Sequence, residues 1–418
     1  MTHTEDAAVQ DEFQRTLRDG LLRTQFQPIV NVRSRTIVGY EALVRGPAGS
    51  IVESPNTLIA EAYRQNRVVE FDWKARATAS RAALASGLSA EELLLLNIEP
   101  LALASSCPVD LWSTIEEAFE RFRVVLEVTE RSLDHDPKTL LEGIDRQRPT
   151  VSGLALDDVG ADVRTLSLLP TVEPDIIKLD LQVTQGSPGP QAMRVLDFVY
   201  EECERTRATA LAEGVETERH HEVVRELGAS LAQGWLYGKP SDPPLPGGNE
   251  YQHEWLGHSV AIEDVHTPFE VLGGNTISHA STELVHSLAQ EIFANEIHLQ
   301  QPAMCIVLVP RPGLLTQQIR ELLSESARRG VVTGALGRGL PGDPAPGVRG
   351  AWEHDPSLDR EWAGIALSPS TGAAMLAREL PGTQSRFEFG VTHDRHRVIS
   401  AARCLLRRLG PQTDVEST

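Results

Sequence analysis

Between Thr24 and Pro240, short apolar runs alternate with longer stretches whose apolar positions recur at helical spacing. The runs are Thr36–Leu43, Leu93–Ile98, Val124–Val128, Leu154–Leu156, Ile176–Leu179, Ala208–Ala212 and Ser230–Trp235. The stretches between them, among them Glu53–Gly87, Leu140–Arg148, Pro190–Arg207 and Glu216–Leu227, keep the period of an amphipathic helix. Seven or eight such units in roughly 220 residues predict an α/β fold, a (β/α)8 TIM-like barrel.

Pro240 to Asn249 holds four prolines and two glycines in ten residues, which neither a helix nor a central strand can continue. Beyond it the alternation resumes on a smaller scale. Strands are expected over Met304–Pro310, Val331–Leu336, Trp362–Leu367 and Arg386–Val391, and helices over Glu283–Ala294, Leu314–Ala327 and Val398–Leu409. The expected organisation is an N-terminal helix (1–20), the barrel (21–242), a linker (243–265), a smaller α/β domain (266–410) and a tail (411–418).

What closes each run carries the chemistry. Glu41, Asn97, Glu130, Asp157-Asp158, Lys178, Glu213 and Gln233 end the apolar runs or follow them at once. In a barrel all of these positions reach the C-terminal rim, where active sites form. A single acid after a strand is usually a helix cap; so many at equivalent places are not explained by capping. Lys178, inside Ile-Ile-Lys-Leu, needs an anionic partner if buried, and rim carboxylates would supply one. Five carboxylates and an Asn amide converging on one pocket repel each other unless a cation lies among them. The donors are hard oxygens without His or Cys, which favours Mg²⁺ or Mn²⁺ over zinc. Asp157-Asp158 could hold two ions, the arrangement used for in-line attack on phosphodiesters.

Composition narrows the partners. The 418 residues include Lys+Arg 39 and Asp+Glu 59, a formal net charge of −20, so a diffuse basic footprint for DNA or RNA is missing. Aromatic residues are only 5%, which argues against a platform for stacking bases. Bound cations would let so acidic a chain hold an anionic ligand. The four cysteines are widely spaced and form no CxxC pair, as expected of reduced thiols. Apolar runs such as Leu93–Leu96 are far below the ~20 residues of a membrane span. With an acidic, polar N-terminus, this predicts a cytoplasmic chain without membrane insertion.

The ordered motifs resemble the EAL domains, phosphodiesterases that linearise cyclic di-GMP. Tyr40-Glu41-Ala42-Leu43-Val44-Arg45 matches the naming signature, and Gln27-Pro28-Ile29 is similar to the opening strand. Leu96-Asn97, Leu126-Glu127-Val128-Thr129-Glu130, Asp157-Asp158-Val159-Gly160 and Ile177-Lys178-Leu179-Asp180 follow in the family's order. Ala212-Glu213-Gly214-Val215-Glu216-Thr217, then Gln233-Gly234 and Lys239-Pro240, complete the series. The resemblance implies that Glu41, Asn97, Glu130 and Asp157 bind a first metal, with Asp157 shared and Asp158 on a second. It implies that Glu213 orients or deprotonates the attacking water, Lys178 polarises it and Gln233 helps hold the water and metal. Arg45 would clamp a phosphate, Gln27 would meet a guanine, and the product would be linear pGpG. Dimerisation through the barrel, common in the family, makes a homodimer the expectation.

Two departures stand out. Val159-Gly160-Ala161-Asp162-Val163-Arg164-Thr165 replaces the family's Phe-Gly-Thr-Gly-Tyr-Ser-Ser, and Gly46 follows Arg45 where Trp is usual. They keep open a receptor that holds cyclic di-GMP uncut, or a protein-interaction scaffold. Farther on, Thr267-Pro268-Phe269-Glu270, Arg349-Gly350-Ala351-Trp352, Asp359-Arg360-Glu361-Trp362 and Phe389-Gly390-Val391-Thr392-His393-Asp394-Arg395 resemble the DICT domain, a presumed sensory module. That resemblance implies a regulatory domain with its own ligand or partner. Trp352 and Trp362 are candidates for lining a pocket there, or for ordinary core packing.

Overall fold

The computed structural model describes residues 3–129, 136–162, 165–185, 189–245, 247, 262–274, 277–298, 303–329, 332–351, 355–383 and 385–410. Glu130 and Trp352 lie outside the described residues, as does most of the expected linker. The chain divides into two compact units.

The first unit is built on a closed barrel of eight strands in sequence order. They are β1 (Arg23–Asn31), β2 (Ile37–Arg45), β3 (Leu93–Asn97), β4 (Arg123–Thr129), β5 (Gly153–Val159), β6 (Ile176–Leu179), β7 (Thr209–Ala212) and β8 (Leu231–Gln233). The barrel differs from a regular (β/α)8 at one strand. β1 runs antiparallel to both β2 and β8, whereas β2 to β8 are parallel. The link Val32–Thr36 is too short for a crossover helix and turns back as a hairpin through left-handed Arg35, φ 58°.

Strand alternation decides what the barrel encloses. A layer of Leu95, Val125, Ala155, Ile176, Leu211 and Leu231 forms part of one buried apolar cluster. Side chains two residues apart on a strand share a face, so the next inward position on each strand is Asn97, Glu127, Asp157, Lys178, Glu213 or Gln233. The same apolar layer therefore supports every one of these polar groups. On β2 the equivalent pair is Gly39 and Glu41. Gly39 is required by close approach, since a Cβ there would lie 2.4 Å from the Leu93 carbonyl oxygen.

Helices Pro55–Arg64 and Val68–Ser86 pack outside β2 and β3. Leu58, Ala62, Val68 and Phe71 form a core with Phe13 and Leu17 of the N-terminal helix His3–Arg18.

The second unit holds a seven-stranded sheet with order β12-β11-β10-β13-β14-β15-β9. Its strands are β9 (Ser278–Ser281), β10 (Met304–Leu308), β11 (Thr333–Leu336), β12 (Arg349–Ala351), β13 (Glu361–Leu367), β14 (Gly372–Glu379) and β15 (Arg386–Thr392). β14, absent from the sequence-based expectation, is a central strand; its Gly-Ala-Ala-Met start has little β propensity, and burial between neighbours overrides it. Trp362 is fully buried and meets His286 and Phe387 edge-on, with ring centroids 6.1 and 5.7 Å away, so it is core. Described residues 136–142, 162 and 165–173 also belong to this unit, although in sequence they fall within the barrel region. Among the described residues, no helix is long and apolar enough to cross a membrane.

Replacing Gly39 by Ala should displace β2 from β3 and lower unfolding stability by about 2–3 kcal/mol, as overpacking does. Urea titration would show it; an unchanged midpoint would mean that the two strands separate freely.

Candidate active site

Lys178 organises the rim. Its side chain is only 1% exposed. The Nζ lies 2.9 Å from Asp157 Oδ1, 2.8 Å from Glu213 Oε1 and 3.7 Å from Glu41 Oε2, and it also pairs with Glu127. Burial alone would push the Lys178 ammonium down, but the carboxylates, Asp157 foremost, hold it well above the usual lysine range.

Two amides fix Glu41. Asn97 Nδ2 donates to its Oε1 at 3.0 Å, and Gln233 Nε2 donates to its Oε2 at 2.8 Å. Among the described residues Gln233 Oε1 is buried without a hydrogen-bond partner, and Glu127 shares a carboxyl–carboxylate hydrogen bond with Asp157. Burial, then Glu41, raises Glu127 well above the ordinary carboxylate range. Asp157 moves the other way. Burial pushes it up, but Lys178 outweighs this and holds it below its ordinary value.

The irregular end of β5 presents the second aspartate. Asp158 adopts a left-handed conformation, φ 59°, and Gly160 follows at φ 102°. Carboxylate oxygens of Asp157, Asp158 and Glu213 lie within 4.8 Å of one another, which is metal-ligand spacing. Glu213 sits after β7, where Thr184 Oγ1 and Gln185 Nε2 donate to the carbonyls of Glu213 and Gly214 at 2.5 and 2.6 Å. Burial raises its carboxyl to about 7, against the pull of Lys178. On the other side of the site, Gly234 is obligatory because a Cβ there would come within 2.2 Å of Val215 O.

The structure thus brings Glu41, Asn97, Asp157, Asp158, Lys178, Glu213 and Gln233 together. Gln27 and Arg45 are neighbours of Glu41, but among the described residues neither forms a hydrogen bond or ion pair with these side chains. Gln27 pairs with Glu41 across the β1–β2 ladder, and Arg45 donates to Gln25 Oε1 at 2.9 Å and to Val44 O at 2.8 Å. Glu127 is the residue that the sequence reading overlooked. It sits inside the run Val124–Val128, where only strand parity distinguishes it from a core position.

A cavity of about 270 Å³ opens beside the cluster, lined in part by Glu41, Asn97, Asn56, Phe71 and Thr129. Its floor includes the buried ion pair of Asp72 and Arg76, 2.6 Å apart. Asp72 Oδ2 also accepts the Glu99 amide at 2.8 Å.

The donors suit a hard divalent cation. They are carboxylate and carboxamide oxygens, and one buried ammonium cannot balance the carboxylates around it. The orphaned Gln233 oxygen points to the same kind of ligand.

The family model of the EAL domain matches residues 10–240. This chain belongs to that family. It is similar to the probable cyclic di-GMP phosphodiesterase PdeG of Escherichia coli (strain K12), 28% identical over 241 residues that cover 56% of this chain and 47% of the relative. It is also similar to the cyclic di-GMP phosphodiesterase RocR of Pseudomonas aeruginosa, 30% identical over 234 residues covering 54% and 59% of the two chains. The chain spans about half the length of the curated relatives it matches. Among solved structures, a manganese/cy-diGMP complex of Klebsiella pneumoniae BlrP1 is 28% identical, with TM-score 0.47, covering 53% of this chain and 56% of that one.

The Glu213 carboxyl, raised from 4.5 to about 7, makes stability depend on pH. Its contribution is complete below about 4.5 and is lost as pH rises through 7, because the folded state holds the proton longer. In EDTA, wild-type Tm should therefore fall more steeply than that of Glu213→Gln between pH 5 and 7.5. Parallel profiles from calorimetry would refute the shift.

Proposed function

We propose that this chain is a metal-dependent phosphodiesterase that hydrolyses cyclic di-GMP to linear 5′-pGpG. The observation that carries the reading is the excess of carboxylates around the single buried Lys178, with Asp157, Asp158 and Glu213 at metal-ligand spacing. The relatives' names support the choice of substrate. Glu41, Asn97, Asp157 and Asp158 would hold two Mg²⁺ or Mn²⁺ ions; Glu127 is a further oxygen donor from inside the barrel. Glu130 retains the ligand role that the family resemblance implies. When bound, such ions lower the pKa of a coordinated water and neutralise phosphate charge.

The remaining roles belong to the protein. Glu213, with its carboxyl near 7, is suited to accept the proton of the attacking water. Lys178 keeps Asp157 ionised and fixes Glu213, while Asn97 and Gln233 hold both oxygens of Glu41 in place. Arg45 would meet a phosphate and Gln27 a guanine at the β1–β2 edge. The second unit is proposed as a DICT-like sensory domain that regulates turnover.

The purified chain incubated with cyclic di-GMP and Mn²⁺ should yield pGpG by ion-pair chromatography, and EDTA should stop it. Glu213→Gln should lower kcat by about 10²-fold or more, with nucleotide still retained. Bound but intact cyclic di-GMP would establish a receptor instead, the reading favoured by the departures after Asp158. Absence of binding would leave a scaffold.

A further inference from the structure

Left-handed residues stand at the end of β5 and just before β6. Asp158 has φ 59° and Glu173 has φ 52°. Aspartate tolerates such a conformation, but a glutamate keeps it only where its surroundings favour it. Asp158 belongs to the carboxylate cluster. Glu173 is followed by Pro174, Asp175 and then β6, which carries Lys178.

Within the second unit Glu173 is held from two directions. Arg403, on helix Arg395–Leu406 and 5% exposed, donates from Nη1 to the Thr171 carbonyl at 2.8 Å and to Glu173 Oε2 at 3.4 Å. The Ile262 amide donates to Glu173 Oε1 at 2.9 Å. Leu168, Leu169 and Val172 are buried alongside. Both oxygens of a buried carboxylate, and the backbone just before it, are therefore fixed by residues far away in sequence.

We propose that Arg403 is a positioning residue for the Asp157–Asp158–Lys178 site. This rests on the reading of that rim as a cation site. Without the guanidinium, the Glu173 carboxylate loses its ion pair with Arg403 and is drawn toward water. Its backbone then leaves the left-handed region, and the entry into β6 shifts with it. Because Glu173 directly precedes β6, and the Asp180 amide just after β6 donates to Val159 O at 3.1 Å, the change reaches both Lys178 and Asp158. The second unit thereby sets how well ordered the carboxylates are before any cation arrives.

Arg403→Met in the full chain keeps the buried aliphatic volume and removes the charge. Two readouts apply: hydrogen exchange of the metal-free protein, and Mn²⁺ affinity by titration calorimetry. Amides of Ile176–Leu179 and Asp180, the last bonded to Val159 O at 3.1 Å, should exchange faster. Mn²⁺ should bind on the order of tenfold more weakly, as when outer-shell support is lost. Amides of β10, β13 and β14 should be unchanged, which separates this effect from general unfolding. Adding Glu173→Gly should restore both readouts, because glycine holds a left-handed conformation without a clamp. Unchanged exchange in β6, loss spread equally over the second unit's sheet, or no rescue by Glu173→Gly would overturn the proposal. Wild-type protein that takes up no Mn²⁺ would sink the cation-site reading instead, and the exchange data would still decide the role of Arg403.

Discussion

A single ammonium group in a closed barrel governs this site. Lys178 is buried among Glu41, Glu127, Asp157 and Glu213. Removing a lysine from water is costly, and it stays charged here only because carboxylates surround it. The carboxylates are no better off, since one positive charge cannot offset all of them. Their protons respond unequally: Glu127 and Glu213 are pushed up, and Asp157 is held down. An arrangement that is under-neutralised by its own residues, lined with oxygen and backed by a rigid apolar layer is suited to hold added divalent charge.

Much of this was legible in the chain. The runs ending in Glu41, Asn97, Asp157, Lys178, Glu213 and Gln233 marked the rim because a polar residue at the end of a buried strand needs a reason. The reading faltered where termination and parity disagree. Glu127 lies within the run Val124–Val128 and looks like an interruption, while Glu130, which follows the run, lies outside the described residues. Counting by twos from Val125 assigns Glu127 inward, next to Lys178. The antiparallel β1 escaped notice for a different reason: hydrophobic alternation carries no strand direction, and only the shortness of Val32–Thr36 betrays the hairpin. In the second unit, β14 was hidden by alanines whose strand conformation comes from burial rather than propensity.

Long-range polar pairs lie beyond any local pattern. Nothing near Glu173 announces Arg403, and nothing near Asp72 in sequence suggests that its second oxygen receives the amide of Glu99. Such bonds hold segments that have no strong periodicity of their own. The segment after Asp158 departs from the family motif in sequence, and in the structure its later part belongs with the second unit. A change of sequence and a change of structural allegiance thus coincide at the same stretch, directly after a candidate ligand.

The most direct test of the cation-site account is anomalous diffraction from crystals of the full chain grown with Mn²⁺, recorded at the manganese edge. The account predicts anomalous density among Asp157, Asp158, Glu213 and Glu41, with Glu127 and Asn97 turned toward it. An ordered rim with no anomalous density, Lys178 alone holding the carboxylates together, would contradict it.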